Sequence, residues 1–343
     1  MRLKGKIIKI LANFYYVQDD TNKIWECFAR ARLLKEGKLL FVGDRLEIEV
    51  TGKDQAVIVD LEERKNRISK PPVANIDQVL VVFSTLEPEF DFYNLDRYIS
   101  FVEYELPNGR ILICINKTDL KKININDVYE KSGHDVFYIS ALTKEGINEL
   151  AKYLVNKTTV LAGPSGVGKS SIIKALAPDL DIKIGTLSAI KTGKHITRNV
   201  QLINIDFDGE SGYLVDTPGF SQFSFVGLNP HKILATFKEL NNIGCDFHNC
   251  LHSSEEGCVI EELRKSKQIP ESRLASYLNI LEEIKSEVIY KTKEESKIKF
   301  IGSKTKGKAK YLPRIDQELR TKSRKKEKQE LLKFDNNKED DTA

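Results

Sequence analysis

Four groups of residues in this chain have the types and the spacing that chemistry needs. The first is the run 163–170, G-P-S-G-V-G-K-S, which fits the phosphate-binding pattern G-x-x-x-x-G-K-[ST]. Glycine lets the backbone turn its N–H groups inward onto phosphate oxygens, and a helix beginning just behind the loop adds partial positive charge. Gly163, Pro164, Ser165, Gly166, Val167, Gly168, Lys169, Ser170 and Ser171 are the expected cradle. Within it, Lys169 reaches the β- and γ-phosphates as part of the catalytic machinery, and Ser170 ligates Mg²⁺.

The second group is Asn116-Lys117-Thr118-Asp119, N-K-x-D at the end of the apolar run Ile111-Leu112-Ile113-Cys114-Ile115. Its chemistry is guanine recognition. Guanine presents two adjacent donors on its Watson–Crick edge, and the single carboxylate of Asp119 can accept both. Adenine has no such pair, and leaving a buried carboxylate unpaired is costly. Asn116 is expected to bond the other edge of the base and to brace the phosphate loop, while the stem of Lys117 covers the base plane. Ser140-Ala141-Leu142 follows the next strand candidate, where a backbone N–H can meet the guanine keto oxygen. A kinase or ATPase reading of the phosphate loop is opposed by Asp119.

The third group responds to the γ-phosphate. Residues 190–198, I-K-T-G-K-H-I-T-R, form a polar, glycine-containing segment in which Thr197 is expected to close on Mg²⁺. Asp216-Thr217-Pro218-Gly219 reads D-x-P-G. There Asp216 would hold Mg²⁺ through water and the Gly219 N–H would sense the γ-phosphate. Phe220 follows, where many GTPases carry a glutamine that orients the attacking water. Phenylalanine cannot do this, so intrinsic hydrolysis should be slow or use another group, and His195 is the nearest candidate. The competing readings are a solvated loop histidine, and an RNA-binding protein whose nucleotide only props the fold.

The fourth group is Cys245, Cys250, His252 and Cys258. Three thiolates and an imidazole at this spacing match a closed, tetrahedral structural zinc site. His248 lies inside the same window as an alternative nitrogen ligand.

These groups need elements to hold them. Residues 158–162 are β-branched and apolar, a buried strand ahead of the phosphate loop, and 171–176 read as a helix behind it. The run 78–83 is continuously apolar, as in strands covered on both faces, so a parallel sheet with helices on each side is expected. A helix from Leu95 to Tyr104, a buried strand over 136–139, a helix from Gly146 to Leu154 and paired strands over 200–205 and 212–215 complete it. Residues 1–68 carry five short strand candidates separated by turn signals, which suits an OB-type barrel. Arg30, Arg32 and Lys35 near aromatic residues there would suit RNA. Charge and proline over 62–72 mark a linker.

The expected organisation is therefore an OB-fold RNA-binding domain over 1–68, an α/β P-loop domain over 69–228, a helical zinc-binding domain over 229–290 with helices at 233–240 and 273–284, and a charged, disordered tail over 291–343. Among 343 residues 41% are apolar, enough for ordinary cores, and the net charge of +4 permits a nucleic-acid partner without demanding one. Five cysteines, three of them crowded together, suit metal binding in a reducing compartment better than disulfides, and Cys27 and Cys114 fall in strand candidates as core residues. No run reaches the ~18 apolar residues of a membrane span, and no signal-peptide core follows the N-terminus. A cytoplasmic monomer with no membrane partner is expected.

The order of the motifs is the anomaly. Base-reading residues precede the phosphate loop, whereas the usual GTPase has them last, so the domain is circularly permuted; termini that lie close together at a surface make this tolerable. With Asn75-Ile76-Asp77-Gln78, Leu95-Asp96-Arg97, Phe220 after D-x-P-G, and the 245–258 spacing, the chain resembles the family of ribosome small-subunit-dependent GTPase A (RsgA/YjeQ) over residues 1 to about 290. That resemblance implies an OB domain, a permuted GTPase domain and a zinc domain. It also implies binding to the 30S subunit and its 16S rRNA, a role in late 30S maturation, and hydrolysis of GTP to GDP stimulated by the ribosome. The family's first switch reads G-x-H-T-T; here Ile196 replaces the first threonine and Thr197 fits the second.

Overall fold

The computed structural model describes residues 1–30, 32–33, 37, 39–69, 72–107, 109–129, 132–178, 200–216, 223–225, 228–241, 243–245, 250–253, 258–266, 268–295, 299–301 and 310–312. Residues 1–284 form one compact unit and 285–343 a second.

The first unit opens with five strands: β1 (Arg2–Leu11), β2 (Phe14–Asp19), β3 (Ile24–Ala29), β4 (Arg45–Val50) and β5 (Gln55–Leu61). They run in the order β1-β2-β3-β5-β4, and β1 pairs with β4 to close a barrel. Side chains alternate across a strand, and the inward set Ile7, Val17, Trp25, Cys27, Leu46, Ile48, Ala56 and Ile58 fills the interior.

The charged stretch after the barrel is not a free linker. Arg64 forks onto Asp44 at 2.6 and 2.8 Å, and Asp44, fully buried, also accepts the Phe41 N–H at 2.7 Å. Next, β6 (Arg67–Ser69) and β7 (Pro72–Ala74) pair as a hairpin, and Val73 bridges to Val42. The charge that reads as solvated linker belongs to a buried ion pair.

The second part alternates strands and helices: β8 (Gln78–Ser84), α1 (Phe92–Glu105), β9 (Arg110–Asn116), α2 (Asn126–Tyr129), β10 (Asp135–Tyr138), α3 (Ile147–Leu154), β11 (Thr158–Ala162), α4 (Lys169–Leu176), β12 (Gln201–Phe207) and β13 (Glu210–Asp216). The sheet order is β10-β9-β8-β11-β13-β12. The first five are parallel, but β12 is antiparallel to β13, because the two are joined as a hairpin at Asp208-Gly209. A fully parallel sheet is thus corrected to a mixed one. β10 lies at the sheet's edge and is half-buried rather than buried. β12 meets the barrel through Lys9 and Gln201, making the two sheets one of eleven strands. Two cores flank it. Leu95, Ile99 and Val102 of α1 belong to the one continuous with the barrel, and Leu150 of α3 with Ile172 and Ile173 of α4 belongs to the other.

Among the described residues four helices follow: α5 (Pro230–Ala235), α6 (Lys238–Asn241), α7 (Ile260–Lys265) and α8 (Glu271–Glu295). The helix expected over 233–240 is broken at Thr236-Phe237 into α5 and α6, and α8 begins two residues before Arg273. Their core of Phe225, Phe237, Tyr277 and Leu281 packs against Tyr93, Phe101 and Tyr104 of α1. Polar contacts fix this junction. Arg273, fully buried, reaches Asp96 at 2.5 Å and Glu239 at 2.5 Å, while Arg97 reaches Glu283 at 2.5 Å.

In the second unit, β14 (Lys299–Ile301) and β15 (Lys310–Leu312) pair antiparallel, so these six residues differ from the disorder expected of the tail. Of the rest of that tail, residues 291–295 continue α8, and 296–298, 302–309 and 313–343 lie outside the described residues. No helix among the described residues is long and apolar enough to cross a membrane.

Candidate nucleotide site and cysteine–histidine cluster

The carboxyl ends of β8, β9 and β11 point the same way, and three loops leave the sheet there, the place where ligands bind in such folds. After β11 the phosphate loop turns back over the sheet edge and enters α4. Gly163 takes φ +140° with the Val82 carbonyl where a side chain would go, 2.2 Å from a Cβ. Gly168 caps α4 at φ +96°, and a Cβ there would lie 2.3 Å from Asn116 Nδ2. Alanine at either position would collide as well as strain the backbone.

Asn116 joins the motifs. Almost fully buried, its Nδ2 donates to the Val167 carbonyl at 2.9 Å and its Oδ1 accepts the Ala141 N–H at 3.0 Å. One side chain thus ties the phosphate loop to N-K-T-D and to the Ser140 turn. Ser140 donates its hydroxyl to Asp119 Oδ1 at 2.6 Å, orienting a carboxylate that is otherwise exposed. Lys117, at φ +63°, donates to the Glu87 carbonyl, and Thr85 donates to the Lys117 carbonyl at 2.7 Å. Sequence reading missed this loop over 84–91, which also comes within 3.5 Å of a Cβ position on Gly166 through Pro88. The available signal was Pro88 with Asp91, a breaker and an N-cap between strand and helix; Asp91 does accept the Tyr93 and Asn94 N–H groups.

Lys169 folds over its own loop, donating to the carbonyls of Gly163 at 2.7 Å and Pro164 at 2.6 Å. Burial pulls its ammonium down to about 8, opposed by the nearby Asp216 carboxylate. Asp216 ends β13, nearly buried. Ser170 and Ser171 lie half-buried in the first turn of α4, and Ser165 is exposed at the loop tip. His195, Thr197, Gly219 and Phe220 lie outside the described residues, as do Lys35 and His248.

The second constellation lies after α6. The donor atoms of Cys245, Cys250, His252 and Cys258 are all within 4.8 Å of one another. Cys258 Sγ stands 3.6 Å from Cys245 Sγ, 3.5 Å from Cys250 Sγ and 3.3 Å from His252 Nδ1. His252 takes φ +51°, which folds its ring back toward Cys250, and its own N–H donates to Cys250 Sγ at 3.3 Å. Burial pushes the Cys250 thiol up to about 12. Three crowded sulfurs become thiolates together only beside a cation, so the donor set is that of a metal site.

Fold and site together define a circularly permuted P-loop GTPase, preceded by a β-barrel and followed by a Cys₃His cluster. Comparison with known proteins agrees. The model of the RsgA GTPase matches residues 61–226 and that of the RsgA N-terminal domain residues 4–58. Over 293 residues the chain is 38% identical to the small ribosomal subunit biogenesis GTPase RsgA of Geobacillus sp. (strain WCH70), covering 82% of this chain and 97% of that protein. The crystal structure of YjeQ from Thermotoga maritima superposes with a TM-score of 0.71 at 31% identity, covering 83% of this chain and 99% of that one. The structure of YloQ, a circularly permuted GTPase, gives 0.68 at 30% identity, covering 84% and 96%. The chain belongs to the RsgA family of small ribosomal subunit biogenesis GTPases.

Proposed function

We propose that this chain binds GTP at the carboxyl edge of β8, β9 and β11 and hydrolyses it to GDP and phosphate when docked on the 30S subunit, late in the subunit's maturation. The observation that carries the reading is the double engagement of Asn116 with Val167 and Ala141. It ties the phosphate loop to the base-reading residues although 51 positions separate Asn116 from Val167.

In this reading guanine lies beside Asp119. The carboxylate accepts the two base donors with the capacity left after Ser140, since its two oxygens offer about four acceptor sites. Asn116 Nδ2 has a second hydrogen for the base, the Ala141 N–H is shared between Asn116 Oδ1 and the keto oxygen, and the Lys117 stem covers the ring. The phosphates draw Lys169 off the Gly163 and Pro164 carbonyls. Ser170, Thr197 and, through water, Asp216 would hold Mg²⁺, which when bound neutralises charge on the phosphates. Gly219 senses the γ-phosphate. Phe220 supplies no water-orienting group, so in this reading His195, the nearest candidate, takes that part and hydrolysis depends on the ribosome.

The metal of the Cys₃His cluster is zinc in this reading. Zn–S near 2.3 Å and Zn–N near 2.0 Å imply tetrahedral edges of roughly 3.5–3.8 Å, and the three edges that meet at Cys258, 3.3–3.6 Å, support that size. The site is closed and structural. The division at 68, 228 and 290, a monomeric state, and contact of the barrel with 16S rRNA belong to the same reading. The test is GTP turnover by the purified chain with and without 30S subunits. Stimulation lost in His195→Ala supports it. Turnover indifferent to 30S favours the reading in which nucleotide only props an RNA-binding fold, which Phe220 keeps open.

A further inference from the structure

The motif Asn75-Ile76-Asp77-Gln78 plays no part in the nucleotide site. It lies at the amino end of β8, on the opposite edge of the sheet. Seven residues of strand separate the two, about 20 Å at the usual rise. There it knits the barrel to the sheet. Asn75 Nδ2 donates to the Gly43 carbonyl at 3.0 Å, Asp77 Oδ2 accepts the Thr158 N–H at 2.8 Å, and Gln78 donates to Thr159 Oγ1 at 3.0 Å. Tyr213 of β13 closes the junction by donating its hydroxyl to Gln18 of β2 at 2.9 Å.

Between these contacts is a cleft of about 540 Å³, the size that holds a small organic ligand. Its charges are unusual. Lys6 and Arg45 stand directly opposite each other on β1 and β4, facing the cleft. Like charges directly opposite on neighbouring strands repel. Lys6 lies over the Tyr213 ring, 4.3 Å from its centre, and burial, reinforced by Arg45, holds its ammonium below the usual lysine range against the pull of Asp77. Lys157 lines the same cleft. Among the described residues, none of these three cations has a carboxylate within ion-pair distance. Of the acids that line the cleft, Asp77 pairs with Lys65, itself a lining residue, at 3.1 Å, and Glu62 pairs with Lys4 at 3.0 Å. Glu63 is exposed.

Two cations set face to face in a cleft, neither of them ion-paired among the described residues, offer an anion a place there. We propose that this cleft binds a phosphate ester, its oxygens held by Lys6, Arg45 and Lys157, at a site separate from the GTP pocket. Two sources share that chemistry: a nucleotide within an RNA chain and a free sugar phosphate.

The experiment uses the full chain saturated with GDP and Mg²⁺, so that the nucleotide pocket is filled. Ribose 5-phosphate and an oligouridylate of about eight nucleotides are titrated in by calorimetry at low salt. At least one should bind. Lys6→Met, which keeps the stem over Tyr213, and Arg45→Gln, at an exposed position, should each weaken that binding roughly tenfold, as expected for a lost charge-assisted contact. GDP affinity should not change in either. Binding of the oligonucleotide alone assigns the site to RNA, and binding of ribose 5-phosphate alone assigns it to a free metabolite. Binding of neither probe, or binding undiminished in both variants, overturns the proposal. Melting temperature checks folding: relief of the Lys6–Arg45 repulsion should leave Arg45→Gln at least as stable as the parent without ligand.

Discussion

Nucleotide binding should take up a proton, and the amount should follow Lys169. In the ligand-free protein burial draws its ammonium down to about 8, against the opposing pull of Asp216. Phosphates restore an anionic partner and return it toward its ordinary value of 10.5. At pH 8.5 about three quarters of the free protein carries neutral Lys169, so binding takes up about 0.8 proton; at pH 7 it takes up about 0.1. Affinity for GDP should then fall about eightfold between pH 7.5 and 9. The sign for stability is opposite. The folded pKa lies below the unfolded one, so from about pH 8 to 10.5 the unfolded chain binds more protons, and ligand-free stability should rise with pH across that window. The assay is calorimetry of GDP binding at pH 8.5 in two buffers of different ionisation enthalpy. Uptake below about 0.2 proton, with binding intact, refutes the link between Lys169 and the phosphates.

Other outcomes follow from the same contacts. Arg273→Met should destabilise the chain by about 3–5 kcal/mol, because it strands the carboxylates of Asp96 and Glu239 in the junction between α1 and the helical segment; thermal melting measures it, and a change below about 1 kcal/mol contradicts the buried pair. Metal analysis should find one zinc per chain, and Cys250→Ser should abolish it while GDP binding persists; full zinc content in the variant removes Cys250 from the site. A flexible glycine–serine insert between Phe225 and Asn229 should erase any preference of 30S subunits for the GTP form over the GDP form. Phe225 anchors the helical core and Phe223, four positions after Gly219 in the sequence, stacks on Phe101 of α1 at 4.5 Å. Equal discrimination by parent and variant would move the signal to the segment near His195.

The chemistry was legible because it is local. A phosphate loop, N-K-T-D and a cysteine cluster each fit within fourteen positions or fewer, and backbone physics dictates their residue types. The strands of the barrel and sheet were legible from alternation and from unbroken apolar runs. What sequence did not reveal are partners far apart in the chain. Asp96 and Arg273 are 177 positions apart, Arg97 and Glu283 186, Tyr213 and Gln18 195. Periodicity tells which face of a helix is buried but not what covers it, so Asp96 and Arg97 read only as a motif. Arg64 shows the same gap in reverse: beside Glu62, Glu63 and Lys65 it looks solvated, and only the fold reveals Asp44 beneath it. The pairing of β12 with β13 was legible from their short connection, but not that β12 would go on to meet β1 of the barrel through Lys9 and Gln201.

The account rests on guanine lying against Asp119, and one comparison tests it most directly: equilibrium binding of GTP and XTP to the parent chain and to Asp119→Asn. Xanthine carries a keto group where guanine has its amine, so an amide in place of the carboxylate should reverse the preference. The account predicts that the parent favours GTP and the variant favours XTP, each by tenfold or more, with Ser140 and Asn116 unchanged. Equal GTP affinity in parent and variant would contradict it, and would take the base away from the carboxyl edge of β9.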